Sequence, residues 1–170
     1  MKITVYLAAS ANGLISNQRN VPDWLSPDYG QGFVDITQRT RAVIMGKTTY
    51  NILAPDYLPL TNEGALIVLT HHTTDKPAQA NVTFTDSDPK SIITLLENQG
   101  YTEAVIIGGT ATVSEFMKAG LVNELILVVE PVLFGAGLPL LKGIDSEYRL
   151  ELKDVKQLND HTVLLHYSVA

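Results

Sequence analysis

The chain has 170 residues, 45% of them hydrophobic, enough to bury a full core as one domain spanning residues 1–170. Its 12 Lys and Arg against 18 Asp and Glu leave a formal charge of −6, which argues against nucleic-acid binding, because neutralising phosphates takes a basic face. The absence of cysteine excludes disulfides, thiolate metal sites and cysteine nucleophiles and makes a reducing compartment, the cytoplasm, the expected location.

The N-terminal MKITVYLAAS passes into ANGLISNQ without a long apolar core or a cleavage site, so it reads as a first strand and not as a signal peptide. No uninterrupted apolar segment approaches the roughly 20 residues that cross a bilayer. Further β-branched apolar runs follow at 42–46, 65–70, 81–85, 104–109 and 124–133, and continuous runs of this kind predict strands covered on both faces. Between them lie helices. One opens at Ser26 and Pro27 and runs to 40, with Phe33, Ile36 and Val34 facing inward. Another is punctuated by Asp88 and Pro89 at its start and Gly100 after its end, with Ile92, Ile93, Leu95 and Leu96 on one face. A third follows Gly109, faces the core with Val113, Phe116 and Met117, and stops at Gly120. The last 25 residues alternate on either side of Asn159-Asp160 and predict an antiparallel hairpin, so the sheet is mixed.

The stretch AVIIGGTATVSEFMKAG runs a strand into two glycines and then a helix. Such a turn lets a ligand approach the main chain and points helix N–H groups at it, which favours a phosphate; the alternative is that Gly108 and Gly109 only make a tight turn. AVIMGKTTYNIL repeats the arrangement, with Lys47, Thr48 and Thr49 after Gly46. Two strand-to-helix turns at the carboxyl ends of a sheet suit one extended, multiply phosphorylated ligand such as a dinucleotide. The nucleotide-triphosphate loop is excluded because Arg41 stands where its first glycine belongs, and the Rossmann pattern G-x-G-x-x-G is absent at both turns.

The segments AASANGLIS, VIMGKTTY, LIVLTHH, VIIGGTATVSEFMKAGLVNEL and EPVLFGAGLPLL, in this order, resemble the dihydrofolate reductase superfamily. The last of them is most similar to its riboflavin-type branch, the reductase (RibD C-terminal) domain of the bifunctional riboflavin-biosynthesis enzyme. The resemblance implies a three-layer α/β fold, a mixed, mostly parallel sheet with helices on both faces and a C-terminal antiparallel hairpin. It implies an NADPH site as well. Ala8 and Ile15 would flank the nicotinamide; Gly46, Lys47, Thr48 and Thr49 would hold the pyrophosphate; Leu69, Thr70 and His71 would border the adenosine and its 2′-phosphate, with Lys76 an alternative cation. Gly108 and Gly109 resemble a Gly-Gly bond that is cis in the superfamily, and Thr110, Ala111, Thr112 and Val113 would complete the phosphate-binding helix start. Thr110 replaces a third glycine of many relatives, and its hydroxyl is a further candidate for the phosphate.

Hydride transfer from NADPH asks the protein for orientation, a dry site and a proton. By the same resemblance the catalytic candidates are Asp28, two residues out of register with the carboxylate of dihydrofolate reductases, and Trp24 as a wall of the substrate site. Asp23 and Asp35 are lesser candidates, and Glu130, before Pro131 at a strand's end, reads either as a carboxylate buried near the substrate or as an edge-facing one. The leading named reaction is reduction of 5-amino-6-(5-phosphoribosylamino)uracil; dihydrofolate reduction and cofactor binding without catalysis are the alternatives. A small-molecule substrate, a homodimer and no metal are expected, since His71 and His72 are adjacent with no third ligand at a suitable spacing.

Overall fold

The apolar runs become strands whose two faces are buried by different helices. In the computed structural model, which describes every residue except 55, 59, 62 and 75–79, the elements are β1 (Lys2–Ser10), β2 (Leu14–Asn17), α1 (Pro27–Thr40), β3 (Ala42–Gly46), α2 (Lys47–Leu53), β4 (Ala65–Leu69), β5 (Val82–Thr85), α3 (Pro89–Asn98), β6 (Glu103–Ile106), α4 (Thr110–Lys118), β7 (Glu124–Glu130), β8 (Gly137–Pro139), β9 (Leu150–Gln157) and β10 (Val163–Val169). Lys76 lies outside the described residues. The main sheet has the order β5-β4-β3-β6-β1-β7-β10-β9. From β5 to β7 it is parallel, whereas β10 runs antiparallel to β7 and β9 antiparallel to β10. This is the mixed, mostly parallel α/β architecture with a C-terminal hairpin expected from the sequence.

Alternation along β1 sorts the layers. Ile3, Val5 and Leu7 pack with Ile92 and Leu96 of α3 and Val113, Phe116 and Met117 of α4. Tyr6 and Ala8 point the other way and pack with Tyr29 and Ile36 of α1 and Tyr50 of α2. A strand buried on both faces has no reason to alternate in polarity, which is why these segments read as continuous apolar runs. No described helix is long and apolar enough to cross a membrane.

Helix ends follow their punctuation. Asp88 accepts from the N–H groups of Lys90 and Ser91 at the start of α3, and hydrogen bonds from the Ser91 hydroxyl and N–H hold its carboxyl below the ordinary range. Gly100 and Gly120 adopt positive φ just past α3 and α4. Ser26 caps α1, its Oγ accepting from Tyr29 N at 3.2 Å. One expectation for α1 fails: Ile36 is buried and Phe33 partly so, but Val34 is 42% exposed, because the helix turns that residue away from the sheet.

The hairpin carries a β-bulge between His166 and Tyr167, which sets Leu152 opposite Tyr167 and Val155 opposite Leu165. The one-residue slip puts Leu152 and Val155 on the same face although they are three apart in sequence. A second, two-stranded sheet pairs β2 with β8, which the sequence reading did not anticipate; its partners lie some 120 residues apart and carry no local signal.

Candidate functional site

β3 and β6 are adjacent parallel strands, and their carboxyl ends carry the two glycine turns. The turns are bonded to each other: Gly46 N–H donates to Gly108 O at 2.9 Å, and Ile107 N–H donates to Ile44 O at 3.0 Å. They also interlock through side chains. A Cβ at Gly46 would lie 3.0 Å from Thr112 Oγ1 of α4, and a Cβ at Gly108 would lie 3.4 Å from Thr49 Oγ1 of α2. Each turn thus places a hydroxyl against the glycine of the other. Gly108 has φ +117°, a conformation that side chains with a Cβ resist, and the Gly108-Gly109 peptide is cis.

α4 starts at Gly109 with no side-chain cap, so its first N–H groups, which have no partner inside the helix, face the turn. α2 has only seven residues and contributes side chains in place of a helix dipole. Lys47 Nζ lies 3.8 Å from the centroid of the Phe84 ring and 5.3 Å from that of Tyr50, a cation–π seat that holds the ammonium at the strand ends.

These turns open into a groove of about 1260 Å³, more than the roughly 300–1,000 Å³ of an ordinary single-ligand pocket. Ala8, Ile15, Gly46, Lys47, Thr48, Thr49, Leu69, Thr70, His71, Gly108, Gly109, Thr110, Ala111 and Thr112 all line it. The structure therefore places these fourteen candidates on one groove, whereas Val113 faces the core and Lys76 lies outside the described residues. One detail is corrected: Thr110 Oγ1 donates to Pro139 O at 2.6 Å, so its proton is committed to β8 and not to a phosphate. The room for an extended ligand, the close approach that glycine allows and the exposed start of α4 fit a dinucleotide pyrophosphate.

The catalytic candidates separate. Trp24 lines the groove and stands edge-on to Phe134 with ring centroids 5.1 Å apart. Asp28 does not line it: this exposed carboxylate accepts from Asn159 Nδ2 at 2.7 Å, tying α1 to the β9–β10 turn. The expectation that Asp28 faces the substrate is thereby corrected, since the cap at Ser26 starts the helix so that Pro27, Tyr29 and Gly30 line the groove instead. Asp23 pairs with Arg19 and Asp35 accepts from Gln31, both at the surface.

Of the two alternatives that the sequence left for Glu130, the buried one holds, since it is only 1% exposed. Its Oε1 accepts from Ser26 N at 2.9 Å and Ser26 Oγ at 2.7 Å, and its Oε2 from Thr162 Oγ1 at 3.0 Å. A buried carboxylate so bonded fastens the start of α1 to β7 and to the hairpin. Beside it, Tyr6 and Tyr29 stack with centroids 5.2 Å apart, and Tyr6 Oη donates to Tyr29 O. Burial pushes both phenols well above their usual range; repulsion from Asp35 and Glu130 adds to it at Tyr6, and from Tyr6 and Glu130 at Tyr29. Both rings stay neutral.

Comparison with known proteins agrees with this geometry. Residues 1–164 match the family model of the RibD C-terminal domain. The chain is 30% identical to YwjB of Bacillus subtilis, a protein of uncharacterised function, over 98% of this chain and 97% of that one. In fold it is similar to a pyrimidine reductase-like protein from Corynebacterium diphtheriae (TM-score 0.81, 15% identity, 99% of this chain and 92% of that one). It is also similar to a diaminohydroxyphosphoribosylaminopyrimidine deaminase/5-amino-6-(5-phosphoribosylamino)uracil reductase from Thermotoga maritima (TM-score 0.77, 16% identity), covering 99% of this chain and 56% of that longer one.

The two adjacent glycines should respond differently to alanine. Gly108→Ala forces a side chain into positive φ and should cost about 1–3 kcal/mol in urea unfolding. Gly109 has φ −95° and its Cβ would meet only Thr49 Oγ1 at 3.7 Å, so Gly109→Ala should unfold near the wild-type midpoint and show its effect in ligand affinity alone. Equal midpoints for both variants would contradict the assigned backbone.

Proposed function

The chain belongs to the RibD C-terminal domain family, and on that premise we propose that it is an NADPH-dependent reductase, a single-domain cytoplasmic enzyme that directs hydride transfer to a small heterocyclic or carbonyl substrate. The observation that carries the reading is the interlocked pair of glycine turns at the ends of β3 and β6. When bound, the dinucleotide supplies the hydride. The chain's own residues do the rest: the start of α4 and the Thr49 hydroxyl receive the pyrophosphate, Lys47 counters its charge, and the wall formed by Trp24 and Phe33 keeps water from the reacting faces. The reaction named for the Thermotoga relative is the reference against which other substrates are compared. Dihydrofolate reduction has less support, since no carboxylate of α1 lines the groove.

We also propose a homodimer. β9 is the edge of the main sheet, and its Leu150, Leu152 and Val155 stand 40%, 56% and 53% exposed. A one-sided apolar patch on an edge hairpin favours burial against a second copy.

Calorimetric titration should show NADPH binding at micromolar affinity or better and preferred over NADH. Lys47→Ala should weaken NADPH by about 1–3 kcal/mol, the loss of one charge-assisted contact. Absence of binding by either dinucleotide would remove the oxidoreductase reading. For the assembly, Leu152→Lys should turn a dimer into a monomer in sedimentation; a wild-type chain that sediments as a monomer would end that proposal.

A further inference from the structure

The groove is divided by charge. Every charged side chain on its described lining belongs to the ends of β3 to β5, or to α4 and the segment beside it: Lys47, Asp86, Glu115, Lys118 and Lys142, with His71 and His72. The facing half, drawn from residues 15–38 and 52–60, contributes no Lys, Arg, His, Asp or Glu among the described residues. Arg19, Asp23, Asp28, Asp35 and Asp56 fall in the same stretches of chain, but none is part of the lining, and Arg19 is paired with Asp23 at the surface.

Two hydroxyls of that half are already engaged, while Gln38 and Tyr57 also line it. Ser26 Oγ donates to Glu130 and accepts from Tyr29 N, and Thr37 Oγ1 is 2.9 Å from Phe33 O and 3.0 Å from Val34 O. Its mouth is rimmed by large apolar side chains left in water, Val21 at 40%, Val34 at 42% and Tyr57 at 61% exposed. Deeper in stand Trp24, Phe33 and Leu53. A phosphate brought here would lose its hydration with no described cation to replace it, whereas a planar apolar molecule would cover the exposed rim.

From this partition we propose that the substrate half takes an uncharged, largely apolar α,β-unsaturated carbonyl compound, not a phosphorylated sugar-pyrimidine. The inference rests on the reductase reading above and names the substrate class of that same site. Among the described residues no Asp, Glu or His lines this half, which selects a substrate whose proton can come from solvent. The enone accepts a hydride, with its electron pair, at the β-carbon; the C=C π pair moves through the conjugated system to the carbonyl oxygen as an enolate. Water at the open mouth then protonates the α-carbon, leaving hydroxide, the saturated carbonyl compound and oxidised nicotinamide. No protein acid is needed, because the enolate is stable long enough to take its proton from solvent.

Trp24 is the only tryptophan of the chain and lines this half, so its emission reports occupancy directly. The full chain, with and without saturating NADP⁺, is titrated with 4-phenyl-3-buten-2-one, with 5-amino-6-(ribosylamino)uracil and with the 5′-phosphate of the latter. The expected result is quenching by the enone at an affinity at least about tenfold tighter than the phosphorylated compound, with the 5′-phosphate no tighter than its own riboside. Steady-state NADPH oxidation by the enone should yield the saturated ketone, and Val34→Lys, on an exposed helical position, should raise affinity for the 5′-phosphate at the expense of the enone. Tighter binding of the 5′-phosphate than of the riboside in the wild type, or no quenching by the enone, would overturn the proposal. Failure of the dinucleotide to bind is a separate result: it removes the reductase reading, while the titrations without NADP⁺ still decide between apolar and phosphorylated ligands.

Discussion

The hydrogen bond from Gly46 N–H to Gly108 O, at 2.9 Å, is the contact on which the site depends. It joins two loops where neighbouring parallel strands have stopped pairing with each other, so neither turn can move without the other. Close approach is possible only because both positions lack a Cβ: at Gly46 the space is taken by the Thr112 hydroxyl, and at Gly108 the backbone has φ +117°. Thr49 and Thr112 then cross over, each lying against the glycine that belongs to the other turn. The consequence is a preorganised concave surface of backbone and hydroxyl groups, with the start of α4 aimed into it.

A second anchor holds the opposite wall. Glu130 leaves the end of β7 and accepts three hydrogen bonds from Ser26 and Thr162, so the start of α1 is set by the sheet and by the hairpin and not by the helix alone. Asn159 and Asp28 add a surface contact between the same elements. The wall that carries Trp24 is thus fastened from behind by a buried carboxylate, while the groove-facing side of that wall stays free of charge. The two sides of the groove are built from different materials: glycine, hydroxyls and charged side chains on one, aromatic and aliphatic side chains on the other.

Much of this was legible in the sequence where the signal is local. The runs at 42–46 and 65–70, the capped α3 and the glycine-terminated α4 announce themselves because strand burial, N-caps and left-handed C-caps each leave a mark within a few residues. The paired glycine turns were legible for the same reason, since each is a short strand–glycine–helix segment. What was not legible depends on long-range pairing. The β2–β8 ladder and the Ser26–Glu130 hydrogen bonds join residues more than 100 positions apart. The orientation of Asp28 followed from which residue caps α1 and from a partner in the hairpin, neither visible from the register of a motif. Val34 looked like core by its period and proved to be rim, because α1 packs one face on the sheet and offers a second to the groove.

The most direct test of the cradle is a crystal structure of the chain soaked with NADP⁺. The pyrophosphate should lie at the start of α4, within hydrogen-bond reach of Thr49 and beside Lys47, with the nicotinamide ring next to Ala8 and Ile15. A dinucleotide bound with its pyrophosphate away from the Gly46 and Gly108–Gly109 turns would contradict the account.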